Sequence, residues 1–493
     1  MCERLAFDRQ NKLKTVMTTA IITVFVVGYL FIALESLTKV NKAGVAILMA
    51  IACWVLLLMG AAEYGADLIA KANANGWLSD ALAAKLGADV NEYAGFMSGE
   101  LFFHYLSDVC GTILFLMGAM TVVETVDSHG GFGFVKSALY TPNPKALLWK
   151  VCIMTFFLSA VLDNMTTSIV MVMVLKNLIE DKATRMKFAG MVIIAANAGG
   201  AFSPIGDVTT IMLWIKGCVS TIGIIKGVLI PSILCMVVPA LIVMFSLKGE
   251  IKAPAEGANN SDERPLFRPG MRNVIFVIGV GGLIFVPFFH NLTGLPPFMG
   301  VLLVLGLLWV ATELIIDAHH KNDEQYEKAR ISNIISRIDM STILFFLGIL
   351  TAVDAVAATG SLEFLGQWLN TNVGNIYIVD SVIGIFSSVV DNVPLVASAM
   401  NMYPIADAAT VAADAAMQPY VQDGLFWELL AFCAGTGGSL LIIGSAAGVV
   451  VMGLEKINFI WYLKHFSLLA LSGYAAGVIW YWFEKTVLAG LLA

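Results

Sequence analysis

Charge is what this chain has least of. Asp, Glu, Lys and Arg make up 13% of its 493 residues, about half the share found in soluble domains, while 58% are hydrophobic. That balance excludes both a single water-soluble core and a disordered chain. No run of Lys or Arg points to a nucleic-acid surface, and the net charge of −7 gathers mainly in loops, so it says little about partners. Cysteine is sparse as well: seven residues, at 2, 53, 110, 152, 218, 235 and 433, mostly inside apolar segments. An odd, scattered set excludes a disulfide frame and metal-ligand spacing, and leaves the thiols as small core hydrophobes. No enzyme constellation or resident cofactor is expected. The expected surrounding is the lipid bilayer.

Long apolar runs are what the chain has instead. A bilayer core takes about 20 helical residues, and such runs lie near 15–38, 44–62, 109–127, 218–247, 272–291, 298–317, 340–358 and 457–485. The first follows Arg4, Arg9, Lys12 and Lys14 and is too long for the apolar part of a signal peptide, so it is expected to be a retained helix. The remaining apolar sequence is interrupted near 163–167, 199–207, 391–395 and 435–445. The expected fold is an all-α polytopic membrane protein.

The interruptions recur in order. Thr112 through Glu124 aligns without gaps on Thr342 through Asp354, with seven identities in thirteen positions and one acid matched by another at the end. An Asp-Asn break, a polar loop, a glycine-rich break and a last long helix then follow in both halves. The pattern predicts a first repeat over 15–247, with a re-entrant hairpin near 148–180 and a glycine-broken helix near 187–216. A linker follows at 248–271. The second repeat covers 272–487, with its hairpin near 375–404 and its broken helix near 425–454. Five crossings per half invert the second repeat relative to the first. Basic residues agree: Lys176, Lys182, Arg185 and Lys187 follow the first hairpin, and Lys321, Lys328, Arg330 and Arg337 occupy a later loop. The flanks of the second hairpin, 355–376 and 404–425, contain neither Lys nor Arg. The positive-inside rule therefore opens the first hairpin and the linker to the cytoplasm and the second hairpin to the outside. The same count puts the N-terminus outside, against its four basic residues, so either that terminus breaks the rule or 62–108 hides or mimics a crossing.

Two acids stand where lipid should be: Asp163, in Leu-Asp-Asn-Met-Thr-Thr, and Asp391, in Val-Asp-Asn-Val-Pro-Leu. A charged Asp at mid-bilayer costs roughly 2.5–3.5 kcal/mol even on the lenient insertion scale, which makes it a functional hypothesis by default. Asp163, Asn164, Thr166 and Thr167 supply a carboxylate, an amide oxygen and two hydroxyls, a hard ligand set for a small cation. Asp391 and Asn392 supply the same pair from the other half. The competing reading is that each Asp caps the helix that follows it.

The glycine-rich breaks are the second element. Asn197, Gly199, Gly200, Pro204, Gly206 and Asp207 form the first; Gly435, Thr436, Gly437, Gly438, Ser439, Gly444 and Ser445 form the second. Glycine permits unwinding, Pro204 prevents helix continuity, and the freed carbonyls become ligands. Asp207 has Ser445 as its partner in the repeat and could equally cap the helix after it. Glu124 and Asp354, each three residues after a Thr, are candidates for a proton route or for a helix end. Glu35 and Glu313 read as interfacial. The six histidines (104, 129, 290, 319, 320, 465) lie mostly in loops, where they are either solvated or pH-sensing.

These motifs resemble the NhaD-type sodium/proton antiporters of the ion transporter superfamily. The resemblance covers roughly 20–485 and is most specific in Asp163 through Met171, Asn197 through Thr210, Asp391 through Leu395 and Gly435 through Gly448. Dicarboxylate carriers of that superfamily bear a neutral Ser-Asn-Thr at the hairpin tips. Here Asp163 and Asp391 replace the Ser, and two like charges in a low-dielectric site repel an anion by several kcal/mol. The resemblance implies Na+ or Li+ exchanged for H+, with Na+ held by Asp163, Asn164, Asp391 and Asn392. It also implies a homodimer in the cytoplasmic (inner) membrane, a role in pH homeostasis, a scaffold part and a transport part in each half, and elevator-like alternating access. A bound cation displaces the proton of a buried carboxylate, so proton and cation compete for one acid. A carrier of arsenite or an organic anion would share the hairpins. An intramembrane aspartyl protease would share two acids in lipid, and Pro-Ile-Gly-Asp207 faintly matches its motif, but without the first glycine or a reason for duplicated hairpins. A channel or a purely structural membrane protein would not need two matched acids.

Overall fold

The computed structural model describes residues 2–33, 35–74, 90–247, 249–251, 267–319, 324–389, 391–488 and 490. Among them the chain is helical throughout, with no strand beyond an isolated bridge between Ala406 and Val421. The main helices are α1 (Cys2–Ala33), α2 (Lys42–Met59), α3 (Ala61–Ala74), α4 (Phe102–Ser128), α5 (Pro144–Leu162), α6 (Asn164–Leu178), α7 (Lys182–Ala201), α8 (Val208–Ile215) and α9 (Thr221–Ser246). They continue with α10 (Gly282–Thr293), α11 (Pro297–His319), α12 (Met340–Ala358), α13 (Ser361–Asn372), α14 (Ile376–Phe386), α15 (Asn392–Met402), α16 (Leu425–Gly437), α17 (Ala446–Glu455), α18 (Phe459–His465) and α19 (Ser467–Phe483). Most of the expected linker, 252–266, lies outside the described residues.

Among the described residues, eight helical stretches are long and apolar enough to cross a bilayer. Seven correspond to runs read from the sequence. The stretch ending at Ser128 is longer than expected, 38 residues from Asn91, because the helix starts within the doubtful 62–108 segment and passes through a π-helical turn at Met97–Leu101. The eighth is α5, 19 residues long and apolar enough to cross, which begins the segment expected as the first hairpin. The expected run at 457–485 holds two helices, α18 and α19, divided at Phe466; α18 meets the preceding α17 at a bend of 113° where the run begins.

Side-chain caps set the starts. Asn143 accepts from the amides of Lys145 and Ala146 ahead of Pro144 at the first helical position of α5. Asp181 caps α7 through Thr184, Ser220 caps α9 through Gly223, and Asp339 caps α12 through Thr342. Each closes orphan amides that lipid would leave unsatisfied.

Contacts divide the chain into two compact units that cut across the sequence halves. One holds residues 1–113, 339–374 and 397–404. Inside it α2 packs along α12, because Gly348 lets the backbones close: a Cβ there would sit 2.7 Å from the main chain of Ala46 and Ile47. Trp54 Nε1 donates to Thr351 O at 2.9 Å and pins the same pair.

The other unit holds 114–338, 375–396 and 405–493, and with them both glycine-rich breaks and both Asp-Asn pairs. In it α5 packs on α7, and α14 on α16. The two interfaces use matching contacts. Ser159 Oγ donates to Ala196 O at 2.6 Å, and Ser387 Oγ donates to Ala434 O at 2.8 Å. A Cβ on Gly199 would fall on the backbone of Phe156, and one on Gly437 on the backbone of Gly384. Gly206 faces Ser159 O and Gly444 faces Ser388 O at 2.7 and 2.6 Å from a built Cβ, so the glycines of both breaks are required by close approach.

Candidate functional site

The helix α5 stops at Asp163 because that residue adopts φ +94°, a region costing a non-glycine residue about 1–3 kcal/mol. Its carboxylate then organises the next turn. Oδ1 accepts the amide of Thr166 at 2.7 Å, and Oδ2 accepts the Thr166 hydroxyl at 2.8 Å. Capping, the competing reading from sequence, is therefore present. It does not account for the residue alone: Ser, Thr or Asn would cap without a charge, and Asp163 remains partly accessible at the break. Thr166 is thus committed to Asp163, while Thr167 is fully buried and its hydroxyl has no partner among the described residues.

Asn164 turns inward. Its Nδ2 donates to Asn197 Oδ1 at 3.1 Å, and Asn197 Nδ2 donates to Ser439 Oγ and Ser445 Oγ, both at 2.9 Å. Asn197 and Asn164 are buried at 0% and 6% exposure, so this amide joins the start of α6 to both glycine-rich breaks. Ser445 also caps α17 through the amide of Gly448 at 3.2 Å.

The second break repeats the scheme with different partners. Asp391 is partly accessible and accepts the Val393 amide at 3.3 Å. Asn392 donates to Asp207 Oδ2 at 3.4 Å, and Asp207 lies within electrostatic reach of Asp391. A Cβ on Gly435 would stand 3.2 Å from Asp207 Oδ2, so glycine there leaves room for the carboxylate. Asp207 occupies the N-cap position of α8 without closing a side-chain capping bond.

Two clusters gather part of the sequence-predicted residues. Asn164, Asn197 and Ser445 share one hydrogen-bonded cluster, and Asp391, Asn392 and Asp207 form another, both resting on the α7–α8 break. Thr436 is not brought in by a described bond: its hydroxyl donates to Phe432 O at 2.6 Å within its own helix. Glu124 stands near the end of α4, with Ser128 donating to it at 3.5 Å, and Asp354 lies in the other compact unit near Tyr105. Gly200 and Gly438 face the carbonyls of Gly206 and Gly444, and Pro204 lies in the turn between α7 and α8. Ser439 was legible in its glycine motif but not as a partner of Asn197. Glu313 pairs with Arg330, and Glu35 accepts the Lys42 amide. His129 is buried rather than solvated, bonded to Thr125 O through Nδ1 and lying against the Phe267 ring. His320 lies outside the described residues.

A pocket of about 490 Å³ opens at the loop end of α6 and α7, lined by Glu180, Asp181, Thr184, Lys187 and Glu250 among others. None of its lining residues belongs to either cluster.

Comparison with known proteins gives a consistent outcome. The profile of the citrate transporter family, CitMHS, matches residues 29–422. The chain is 40% identical over 462 residues to "Sodium/proton antiporter 1" of Arabidopsis thaliana, covering 94% of this chain and 72% of that protein. It is 39% identical over 461 residues to "Sodium/proton antiporter 2" of the same plant, covering 93% and 97%. It is 30% identical over 402 residues to the Na(+)/H(+) antiporter NhaD of Vibrio cholerae, covering 76% and 78%. The crystal structure of the Alcanivorax borkumensis YdaH transporter superposes with a TM-score of 0.56 at 11% identity, over 89% of this chain and 98% of that one, which establishes a shared fold.

Proposed function

We propose, since this chain belongs to the NhaD-type sodium/proton antiporters within the CitMHS family of the ion transporter superfamily, that it expels Na+, and Li+ by the same route, in exchange for H+. The chain is a multi-pass membrane transporter and not an enzyme. The observation that carries the reading is the placement of Asp163-Asn164 and Asp391-Asn392 at two helix breaks whose amides engage one broken helix, on Asn197 and on Asp207.

The mechanism follows from the chemistry of those groups. Oxygens of Asp163 and Asp391, with the amide oxygens of Asn164 and Asn392 and freed backbone carbonyls, suit a hard monovalent cation. Asn197 and Asp207 hold the amides in place, and Ser439 and Ser445 hold Asn197. When a proton sits on an acid, the site is neutral and releases the cation; when the cation arrives, the proton leaves. Exchange needs only that each form be presented to one side at a time. An inverted pair of repeats provides that alternation, and the matching contacts at Gly199 and Gly437, and at Ser159 and Ser387, support such a duplication. In this reading the chain works as a homodimer in the cytoplasmic membrane, each hairpin and broken helix moving as one transport body, with the proton gradient driving sodium out.

An organic anion is favoured by one observation, the family's description as citrate transporters. Asp163 and Asp391 oppose it, since they stand where an anion would need neutral or positive groups. The deciding experiment loads everted membrane vesicles with a pH gradient and adds Na+ or Li+. Collapse of the gradient, lost in Asp163→Asn and Asp391→Asn, supports antiport. Uptake of a labelled anion without cation-dependent proton movement would support the other cargo.

A further inference from the structure

Asp380 belongs to α14, an arm of the second hairpin, and is fully buried at 0% exposure. Among the described residues neither carboxylate oxygen has a hydrogen-bond partner. An ionised carboxylate sealed in this way would be extremely costly, so the group is held as the neutral acid. Packing alone does not call for it. At the corresponding position of the first hairpin stands Cys152, equally buried, so the duplicated frame is satisfied there by a small uncharged side chain.

The ionisable groups facing Asp380 come from its own helix and from the two packed on it, α16 and α19. Cys433, Tyr474 and Tyr481 lie within electrostatic reach of its carboxylate. Tyr377 precedes it on α14 by three residues, and the buried Tyr377 hydroxyl also has no partner among the described residues. Tyr481 O–H donates to Glu428 Oε2 at 2.8 Å, and Lys485 Nζ meets the same oxygen at 2.7 Å. The Lys485 side chain is 31% exposed and that of Glu428 only 4%. Bonded groups therefore run from a partly exposed lysine through Glu428 to Tyr481, and Tyr481 lies within electrostatic reach of a buried acid on the hairpin arm that precedes Asp391.

We infer that Asp380 is a second proton-carrying residue of the exchange cycle, filled and emptied through Tyr481 and Glu428, and separate from the cation site at Asp163 and Asp391. The inference rests on the antiport reading above. In the step itself, a proton from water at the Glu428–Lys485 rim passes to the Asp380 carboxylate and gives the neutral acid. On release it returns to water by the same groups and leaves the carboxylate ionised. Sodium does not bind there. The consequence is one proton more per cation than the Asp-Asn clusters exchange by themselves.

The test uses the full chain in proteoliposomes, with the ratio of protons to Na+ taken from the reversal potential. Asp380→Asn keeps size and neutrality and is expected to lower that ratio by one and to flatten the pH profile, with Na+ half-saturation at alkaline pH changed less than twofold. Asp380→Glu restores the ratio. An unaltered ratio and pH profile in Asp380→Asn overturns the inference while leaving antiport intact. Absence of any Na+-dependent proton flux in the parent protein overturns antiport first and the inference with it. A measurement on the unaltered protein covers a variant that does not fold. A hydrophobic carbodiimide, which reacts with protonated acids, is expected to label Asp380 whether or not Na+ is present, while Na+ protects Asp163. Mass spectra without label on Asp380, or with Na+ protecting it, refute the assignment.

Discussion

Truncating Asn197 separates the hydrogen-bonded framework of the site from its charges. The side chain makes three buried bonds, at 3.1 Å from Asn164 and 2.9 Å each to Ser439 and Ser445. At a net worth of about 0.5–1.5 kcal/mol each, Asn197→Ala removes about 1.5–4.5 kcal/mol of ordering from the first cluster. Part of that appears as lower stability. The rest appears as lost affinity, because Asn164 no longer holds its amide oxygen toward the cation, and about 1.4 kcal/mol is a tenfold change. Asn197→Ala should therefore raise the Na+ concentration for half-maximal dissipation of a pH gradient at least tenfold, in vesicles whose content of folded protein is checked by thermal unfolding. Both acids remain in this variant, so maximal exchange at saturating Na+ should persist. A half-saturation within twofold of the parent, in folded protein, refutes the role given to the framework.

Four other outcomes follow from named contacts. Asp163→Gly relieves the positive φ, worth about 1–3 kcal/mol, and loses a cap worth about 1 kcal/mol, so its melting temperature should stay close to the parent's while exchange disappears; retained exchange would reduce Asp163 to a cap. Gly199→Ala and Gly437→Ala force a methyl onto facing backbone and should each destabilise by about 1–3 kcal/mol, whereas Gly306→Ala, whose Cβ meets nothing within 4 Å, should be neutral in the same thermal assay. Arg185 joins α7 to the nearly sealed carboxylate of Glu455 through Nε at 2.9 Å; Arg185→Met should cost about 3–5 kcal/mol and Arg185→Met with Glu455→Leu should recover most of it, as read by thermal unfolding of the purified variants. His129, in the turn after α4, has its pKa lowered by burial. The unfolded chain thus binds a proton that the folded one refuses, so its stabilising contribution is present above pH about 6.5 and is lost as pH falls below it; His129→Phe should make the melting temperature less dependent on pH over that range.

The sequence carried the parts of the fold that are one-dimensional. Seven spanning runs were visible as apolar length, and the breaks at Asp163, 199–207 and 435–445 were visible as polar and glycine residues inside such length. What it did not carry was partnership. That Asn392 reaches Asp207 and that Asn197 reaches Ser439 and Ser445 depends on how separate helices pack, and no spacing rule connects residues 185 or 242 apart. Thr436 looked like a ligand by neighbourhood, but a threonine hydroxyl inside a helix bonds readily to the carbonyl four residues back, and this one does. Asp380 offered the same signal as Asp163, an acid in an apolar run, without the Asn that made the others recognisable. The split at Phe466 left no trace because an aromatic residue breaks no propensity rule.

Proton release on adding Na+ to the purified protein in weakly buffered detergent solution tests the central claim most directly. Competition for Asp163 and Asp391 predicts a Na+-dependent acidification that saturates with binding and falls to the baseline when both residues are Asn. Heat of Na+ binding without released protons, or unchanged release from the double Asn variant, would contradict it.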